Sequence, residues 1–355
     1  FTFAQIGVIT LVFQLTSSLL QPVAGRLADR HPRPYSLAAG MCFTLAGLLA
    51  LSVAPGFVAI LAAVGLIGCG SSVFHPESSR VAQLASGGRK GLAQSIFQVG
   101  GNAGSAMGPL LAALIVIPFG QVSIGWFALA ALLAIFILVR IGHWYRRQLA
   151  AAARKSAVAA VTAAHGLSKR KIRTAFVILG VLVFSKYFYI ASMTNYFTFF
   201  LMDKFAVSVQ GAQYCLFAFL AASAAGTFIG GPLGDRIGRK YVIWGSILGA
   251  APFTLMLPYV GLVWTIALAV VIGLVISSAF SAILVYATDL MPGKVGMIAG
   301  VFFGLMFGLG GLGSAFFGWL ADRTSIEFIF QISTLLPLLG VITGFLPDVE
   351  SRKVR

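Results

Sequence analysis

Lys186 stands alone as a charged residue within the apolar run 174–201, and Tyr189, Met193 and Tyr196 follow it at helical spacing on its side. A lysine deep in a bilayer costs about 2.5–3.5 kcal/mol on insertion scales, so it needs water, a partner or a ligand. A cationic stripe flanked by aromatics suits a small anion such as a phosphonate; the alternative is a structural ion pair. In the run 57–83, His75, Glu77 and Arg80 cluster around Pro76. Proline removes one backbone donor and predicts a kink, whose freed carbonyls must be satisfied by protein or water. Glu77 and Arg80, at i and i+3, can pair. Glu77 also neighbours an imidazole that ordinarily titrates near neutrality, which makes it the best visible proton carrier. Two alternatives stand beside that reading: the three residues simply close the helix at the interface, or the proton acid lies on a span absent from the sequence.

A third set lies on 91–117, where Gln94, Gln98, Asn102 and Ser105 share one face and Gly100, Gly104 and Gly108 the next, followed by Pro109. Small residues let helices approach closely. The amide face either lines a cavity or bonds to neighbouring helices. Ser277, Ser278, Ser281 and Tyr286 are weaker candidates, and Asp289 at the end of their span reads as a gate or cap.

The elements that must position these residues are spanning helices. Of 355 residues, 59% are hydrophobic and 10% charged, with a mean hydropathy of +0.96. Soluble domains carry about 25% charged residues, so a water-soluble enzyme is excluded, as are disorder and collagen. Apolar runs of about 20 residues span a bilayer. Eleven are placed, at 3–25, 35–53, 57–83, 91–117, 121–140, 174–201, 210–233, 240–258, 262–288, 295–318 and 325–346. The third, sixth and ninth are long, which predicts tilt or kinks. The expected organisation is an all-α membrane protein with a five-span bundle over 1–140, a basic surface linker over 141–173, a six-span bundle over 174–346 and a tail over 347–355. The linker can carry an amphipathic helix lying on anionic lipid.

Placing the end of the first span in the cytoplasm puts all but three of the 25 basic residues on that side, the exceptions being Lys186, Lys204 and Arg323. That bias sets the orientation and accounts for the net charge of +16 without nucleic acid. Cys42, Cys69 and Cys215 have neither metal-ligand spacing nor a disulfide pattern. There is no nucleotide-binding loop, paired carboxylate, metal cluster or nucleophile triad, so neither a cofactor nor an enzyme activity is expected.

The sequence repeats. GRLADRHPR over 25–33 matches GPLGDRIGR over 231–239 at an offset of 206, and Gly-Ser-Ala recurs at 104–106 and 313–315 at an offset of 209. Two pairs with nearly one offset indicate a duplicated unit of about six helices. The first half shows five, and the sequence opens on Phe1 inside an apolar run, so a first span is expected to be missing. In each copy glycine permits close helix approach, and the aspartate can accept hydrogen bonds from a neighbouring helix N-terminus, where the dipole favours negative charge. With nearby arginines this makes either a latch that opens and closes or a fixed topology anchor.

Two such halves joined by a basic linker resemble the major facilitator superfamily of secondary transporters. Its Gly-x-x-x-Asp-Arg-x-Gly-Arg-Lys element is matched in full by Gly231, Asp235, Arg236, Gly238, Arg239 and Lys240. The first copy keeps Gly25, Asp29, Arg30 and Arg33, with Pro32 and Pro34 replacing the second glycine and the lysine. Gly104-x-x-x-Gly108-Pro109 resembles the family's antiporter motif. The stretches 74–114 and 184–202, with GRKYVIWGSILG and SAFSAILVYATDLMPGKVGM, are similar to the fosmidomycin-resistance branch. The resemblance implies two six-helix bundles and alternating access around a site near the midplane. It implies export of a small anionic drug in exchange for protons at the bacterial inner membrane, with linker and tail cytoplasmic and no oligomer required. On that footing Lys186, Tyr189, Tyr196, Gln98 and Asn102 would meet the substrate, and Glu77, His75 and Arg80 would serve proton coupling. An uptake symporter for an anion is the alternative; an intramembrane enzyme or a sensor ranks below both.

Overall fold

A computed structural model describes residues 3–156 and 168–347, and within them the regular structure is helical. The main helices are α1 (Phe3–Arg30), α2 (Ser36–Ser52), α3 (Phe57–Ala85), α4 (Lys90–Leu111), α5 (Phe127–Ser156) and α6 (Lys169–Phe205). They continue as α7 (Val209–Ile237), α8 (Arg239–Met256), α9 (Leu262–Ser277), α10 (Ala279–Leu290), α11 (Val295–Ala321) and α12 (Ile326–Ser333). A π-helical turn, Ala112–Val116, follows α4, and a 3₁₀ segment, Leu336–Phe345, follows α12.

Most helices outrun their apolar runs, because hydropathy marks the length in hydrocarbon while backbone bonding continues until a cap or a breaker. Ser168 caps α6 by accepting from the Lys171 amide, and Ser208 caps α7 by accepting from the Gly211 amide. The stretch 141–173 is therefore partly bundle: α5 continues through 141–156, with Tyr145 buried, and α6 begins at Lys169. Residues 157–167, where a helix on the lipid surface is expected, and the tail from 348 lie outside the described residues. The span expected at 262–288 is two helices separated at Ser278, whereas α3 runs unbroken through Pro76.

Eight described helical stretches are long and apolar enough to cross a membrane, among them α9 with α10 and α12 with its 3₁₀ segment, and α2 is a shorter apolar helix. Large apolar side chains face outward, among them Leu129, Leu133 and Phe136 on α5 and Val263 and Trp264 on α9, as expected where lipid is the solvent.

Two compact units emerge, and they do not follow the sequence halves. One contains α1–α3, the end of α4 from Gly104, α5 and the start of α11 through Gly304. The other contains α4 through Ala103, α6–α10 and the chain from Leu305 onward. The core of the second is aromatic and aliphatic: Tyr189, Met193, Phe197 and Phe200 of α6 pack with Phe219 of α7, Ile272 and Ile276 of α9 and Phe330 of α12.

Candidate functional site

In the second unit a polar node forms where α9 stops. The Ser278 amide reaches back to the Val275 carbonyl, three residues away instead of four, so carbonyls just before it need other donors. Ser246 of α8 donates to the carbonyls of Val275 (2.6 Å) and Ile276 (3.1 Å). Thr227 of α7 donates to Ser277 O at 3.4 Å. Lys186 of α6, 2% exposed, donates to the same oxygen at 3.4 Å. α7 can come this close because Gly226 and Gly230 face the carbonyls of Leu274 and Ser278, which a methyl group would overlap. Asn102 of α4 donates to Thr227 Oγ1 at 3.4 Å. Lys186 and Asn102, 84 positions apart by their numbers, are thus linked through Thr227 and the Ser277 carbonyl. Gln94 and Gln98 on the same face of α4 are buried, while Asn102 and Ser105 are exposed, so this face is packed at one end and open at the other.

The expected stripe beside Lys186 divides. The ammonium lies over the rings of Tyr187 (5.3 Å) and Phe280 (5.7 Å). Tyr189 and Met193 are instead part of the apolar core, and the Tyr196 hydroxyl donates to Ser314 O at 2.7 Å. Tyr187 lies about 100° around the helix from Lys186 and Tyr189 about 60° the other way; the flexible lysine stem swings to the side that offers an acceptor. Among the described residues no carboxylate forms an ion pair with Lys186.

The glycine face of α4 also differs from expectation. A methyl at Gly100 or Gly104 would meet nothing within 4 Å among the described residues, so no described residue packs closely against them. Gly108 and Pro109 lie in the last turn of α4, which ends at Leu111 ahead of the π turn.

His75 and Glu77 do not share surroundings, because residues two apart lie about 200° apart on a helix. His75 Nδ1 approaches Ser71 O (3.0 Å) and Ser71 Oγ (3.3 Å), Ser17 donates to Ser71 at 3.1 Å, and the imidazole ring is 5.2 Å from that of Phe303. Glu77, 1% exposed and well before the end of α3, faces Arg80 at 4.0 Å. Arg80 also approaches Asp29 at 3.8 Å, donates to Ala28 O at 2.6 Å and lies 5.8 Å from the Tyr145 ring.

The two aspartates of the repeat each cap a helix. In the first unit Asp29 accepts from the amides of Gly296 (2.9 Å) and Met297 (2.8 Å) at the start of α11. In the second, Asp235 accepts from Gly91 and Leu92, both at 3.0 Å, at the start of α4. Gly25 and Gly231 abut the carbonyls of Gly296 and Gly91, leaving no room for a side chain. Arg239 bonds Asp235 (3.3 Å) and Asp289 (2.5 Å), and Lys90 joins Asp289 at 2.7 Å. Lys240 donates to the carbonyls of Gly344 (3.1 Å) and Leu346 (2.6 Å), closing the 3₁₀ segment. Arg30, Arg33 and Arg236 are exposed. Arg33 therefore does not take the place that Arg239 takes. Gly238, at φ +99°, lets α8 restart at once, whereas Pro32 and Pro34 lie in an open loop and α2 begins only at Ser36.

Thr227, Ser246, Tyr187, Phe280 and Tyr145 were not singled out from the sequence. A hydroxyl between two glycines, Gly226-Thr-x-x-Gly230, and a serine pair in the ninth span were the available signals, since such side chains compete for backbone groups. Among the described residues no group of three His, Cys, Asp or Glu could hold a metal.

The family model described as Major Facilitator Superfamily matches residues 1–200 and 182–355. The "Fosmidomycin resistance protein" of Escherichia coli (strain K12) is 60% identical over 347 residues, covering 98% of this chain and 85% of that protein. The "Uncharacterized MFS-type transporter YfnC" of Bacillus subtilis (strain 168) is 43% identical over the same shares. Among solved structures, the human organic anion transporter MFSD10 aligns with a TM-score of 0.75 at 17% identity, covering 96% of this chain and 83% of that one. The E. coli fucose:proton symporter FucP aligns at 0.71 and 13% identity, covering 97% and 91%. At these identities the two structures speak to fold alone.

Proposed function

The chain belongs to the Major Facilitator Superfamily, and on that footing we propose that it exports fosmidomycin or a similar small anionic drug across the bacterial inner membrane in exchange for protons. It is a transporter, not an enzyme. The observation that carries the drug assignment is the 60% identity over 98% of the chain to the fosmidomycin resistance protein.

The proposed mechanism draws on these contacts and on the family's alternating access. Two six-helix bundles alternate access to a site near the midplane. Lys186 supplies the positive charge for the anion, with Asn102, Gln98 and Thr227 offering polar contacts beside it. Tyr189 and Tyr196 stiffen α6 behind the site, through the core and through Ser314. Glu77, shared with Arg80, is the proton acid, and His75 serves the same unit through Ser71. The caps at Asp29 and Asp235, with their arginines, close the cytoplasmic side and part when it opens. The basic residues flanking the spans keep linker and tail in the cytoplasm.

Fosmidomycin susceptibility of a sensitive, efflux-deficient bacterium tests this reading. Cells expressing the protein should resist the drug, and an uncoupler or the Lys186→Ala substitution should abolish resistance with the protein still in the membrane. Full resistance in Lys186→Ala would remove the site assignment. Sensitivity of cells holding the unaltered protein in their membrane would remove the drug assignment.

A further inference from the structure

The ninth span is one apolar run in sequence and two helices in the fold. Its second part, α10, is buried at every one of its 12 residues. A helix of that length is about 18 Å long. Enclosed on all sides at crystal-like packing density, it cannot bend locally without repacking its neighbours and so moves as a body. The two ends of this rod carry polar clusters. At the first, the carbonyls of Val275, Ile276 and Ser277 are held by Ser246, Thr227 and Lys186. At the other, Asp289 holds Arg239 and Lys90, and Arg239 also bonds Asp235, the cap of α4.

Of the three side chains that fasten the break from neighbouring helices, Lys186 alone is charged. Thr227 has a second acceptor in Ser223 O at 2.9 Å. Lys186 has a carbonyl and two ring faces, and no ion pair among the described residues. An ammonium bonds an anion more strongly than it bonds a neutral carbonyl. Any anion that engages Lys186 therefore competes directly with Ser277 O for it.

We infer that Lys186 is the fastener of the Ser278 break and α10 the rod that reports its state: an anion that draws the ammonium from the Ser277 carbonyl loosens the break, and α10 transmits this to the Asp289–Arg239–Lys90 cluster. Substrate occupancy and release of the second cap are then linked within one unit. The inference rests on the reading of Lys186 as the anion's contact, and its primary test needs no drug.

That test is hydrogen exchange of the full chain in lipid nanodiscs, read over peptides covering 279–290, for the unaltered protein, Lys186→Met and Lys186→Arg. Removing the charge-assisted bond should speed exchange in 279–290 about tenfold in Lys186→Met without ligand, the weight of one such bond. Lys186→Arg, which keeps a cation, should exchange like the unaltered protein. Adding fosmidomycin should loosen 279–290 in the unaltered protein and leave Lys186→Met unchanged. Unchanged exchange in ligand-free Lys186→Met overturns the inference, and so does loosening spread evenly over all helices. Drug that binds without altering 279–290 overturns the transmission. A Lys186→Met protein that loosens 279–290 while cells carrying it stay resistant keeps the rod and rejects the export role of Lys186.

Discussion

The Gly-x-x-x-Asp element occurs twice, and the copies reach the same cap by different means. Both aspartates accept two backbone amides at the start of a helix, at 2.8–2.9 Å in the first copy and 3.0 Å in the second. Both glycines sit where a methyl group would overlap a carbonyl. Beyond that they diverge. The second copy restarts its helix at Gly238 and brings Arg239 back onto Asp235, with Asp289 and Lys90 completing a network. The first has prolines in that place and an exposed Arg33, and its cation comes from Arg80 on α3. Backbone capping is the shared part; the cation that accompanies it comes from α3 in the first copy and from the start of α8 in the second.

The largest effect is expected in the second copy. Arg239 and Asp289 are 9% and 5% exposed at their side chains, and removing one partner of a buried pair costs about 3–5 kcal/mol. Asp289→Ala or Arg239→Ala should therefore lower the thermal unfolding temperature of the detergent-solubilised protein more than any substitution in the first copy. A smaller loss for Asp289→Ala than for Arg80→Ala would reverse the assigned order.

The caps come next. Asp29→Ala and Asp235→Ala each remove charge-assisted bonds to two amides, a loss of about 1.5–3 kcal/mol per bonded charge, and the same unfolding assay should find the two close to equal. A marked difference would mean that the caps are not the common element. Gly25→Ala and Gly231→Ala should each cost about 1–3 kcal/mol through overpacking, again alike. Arg80→Ala should cost less than the loss of Asp29, because the aspartate keeps both amides. Arg33→Ala should change neither stability nor drug resistance, and a loss of resistance would return Arg33 to the role its position in the repeat suggested.

What could be read from the sequence follows the range of the interactions. Apolar runs located the helices, since a spanning segment must be long and apolar. The caps were legible because glycine and aspartate stand at fixed spacing and recur at one offset. Arg80 could be linked to Glu77, three residues away, but not to Asp29, which only packing brings near. Lys186 is conspicuous by its cost, but helical spacing ranks Tyr189 beside it, whereas the ammonium bonds the Ser277 carbonyl and lies over Tyr187 and Phe280. The break at Ser278 left only a serine pair in an apolar run.

The central claim is export of an anionic drug through a site built on Lys186. Everted membrane vesicles with an acidic lumen, loaded with labelled fosmidomycin from outside, test it most directly. Accumulation in the lumen that an uncoupler collapses and Lys186→Ala lacks is the predicted result; accumulation by Lys186→Ala equal to that of the unaltered protein, or none by the unaltered protein, would contradict it.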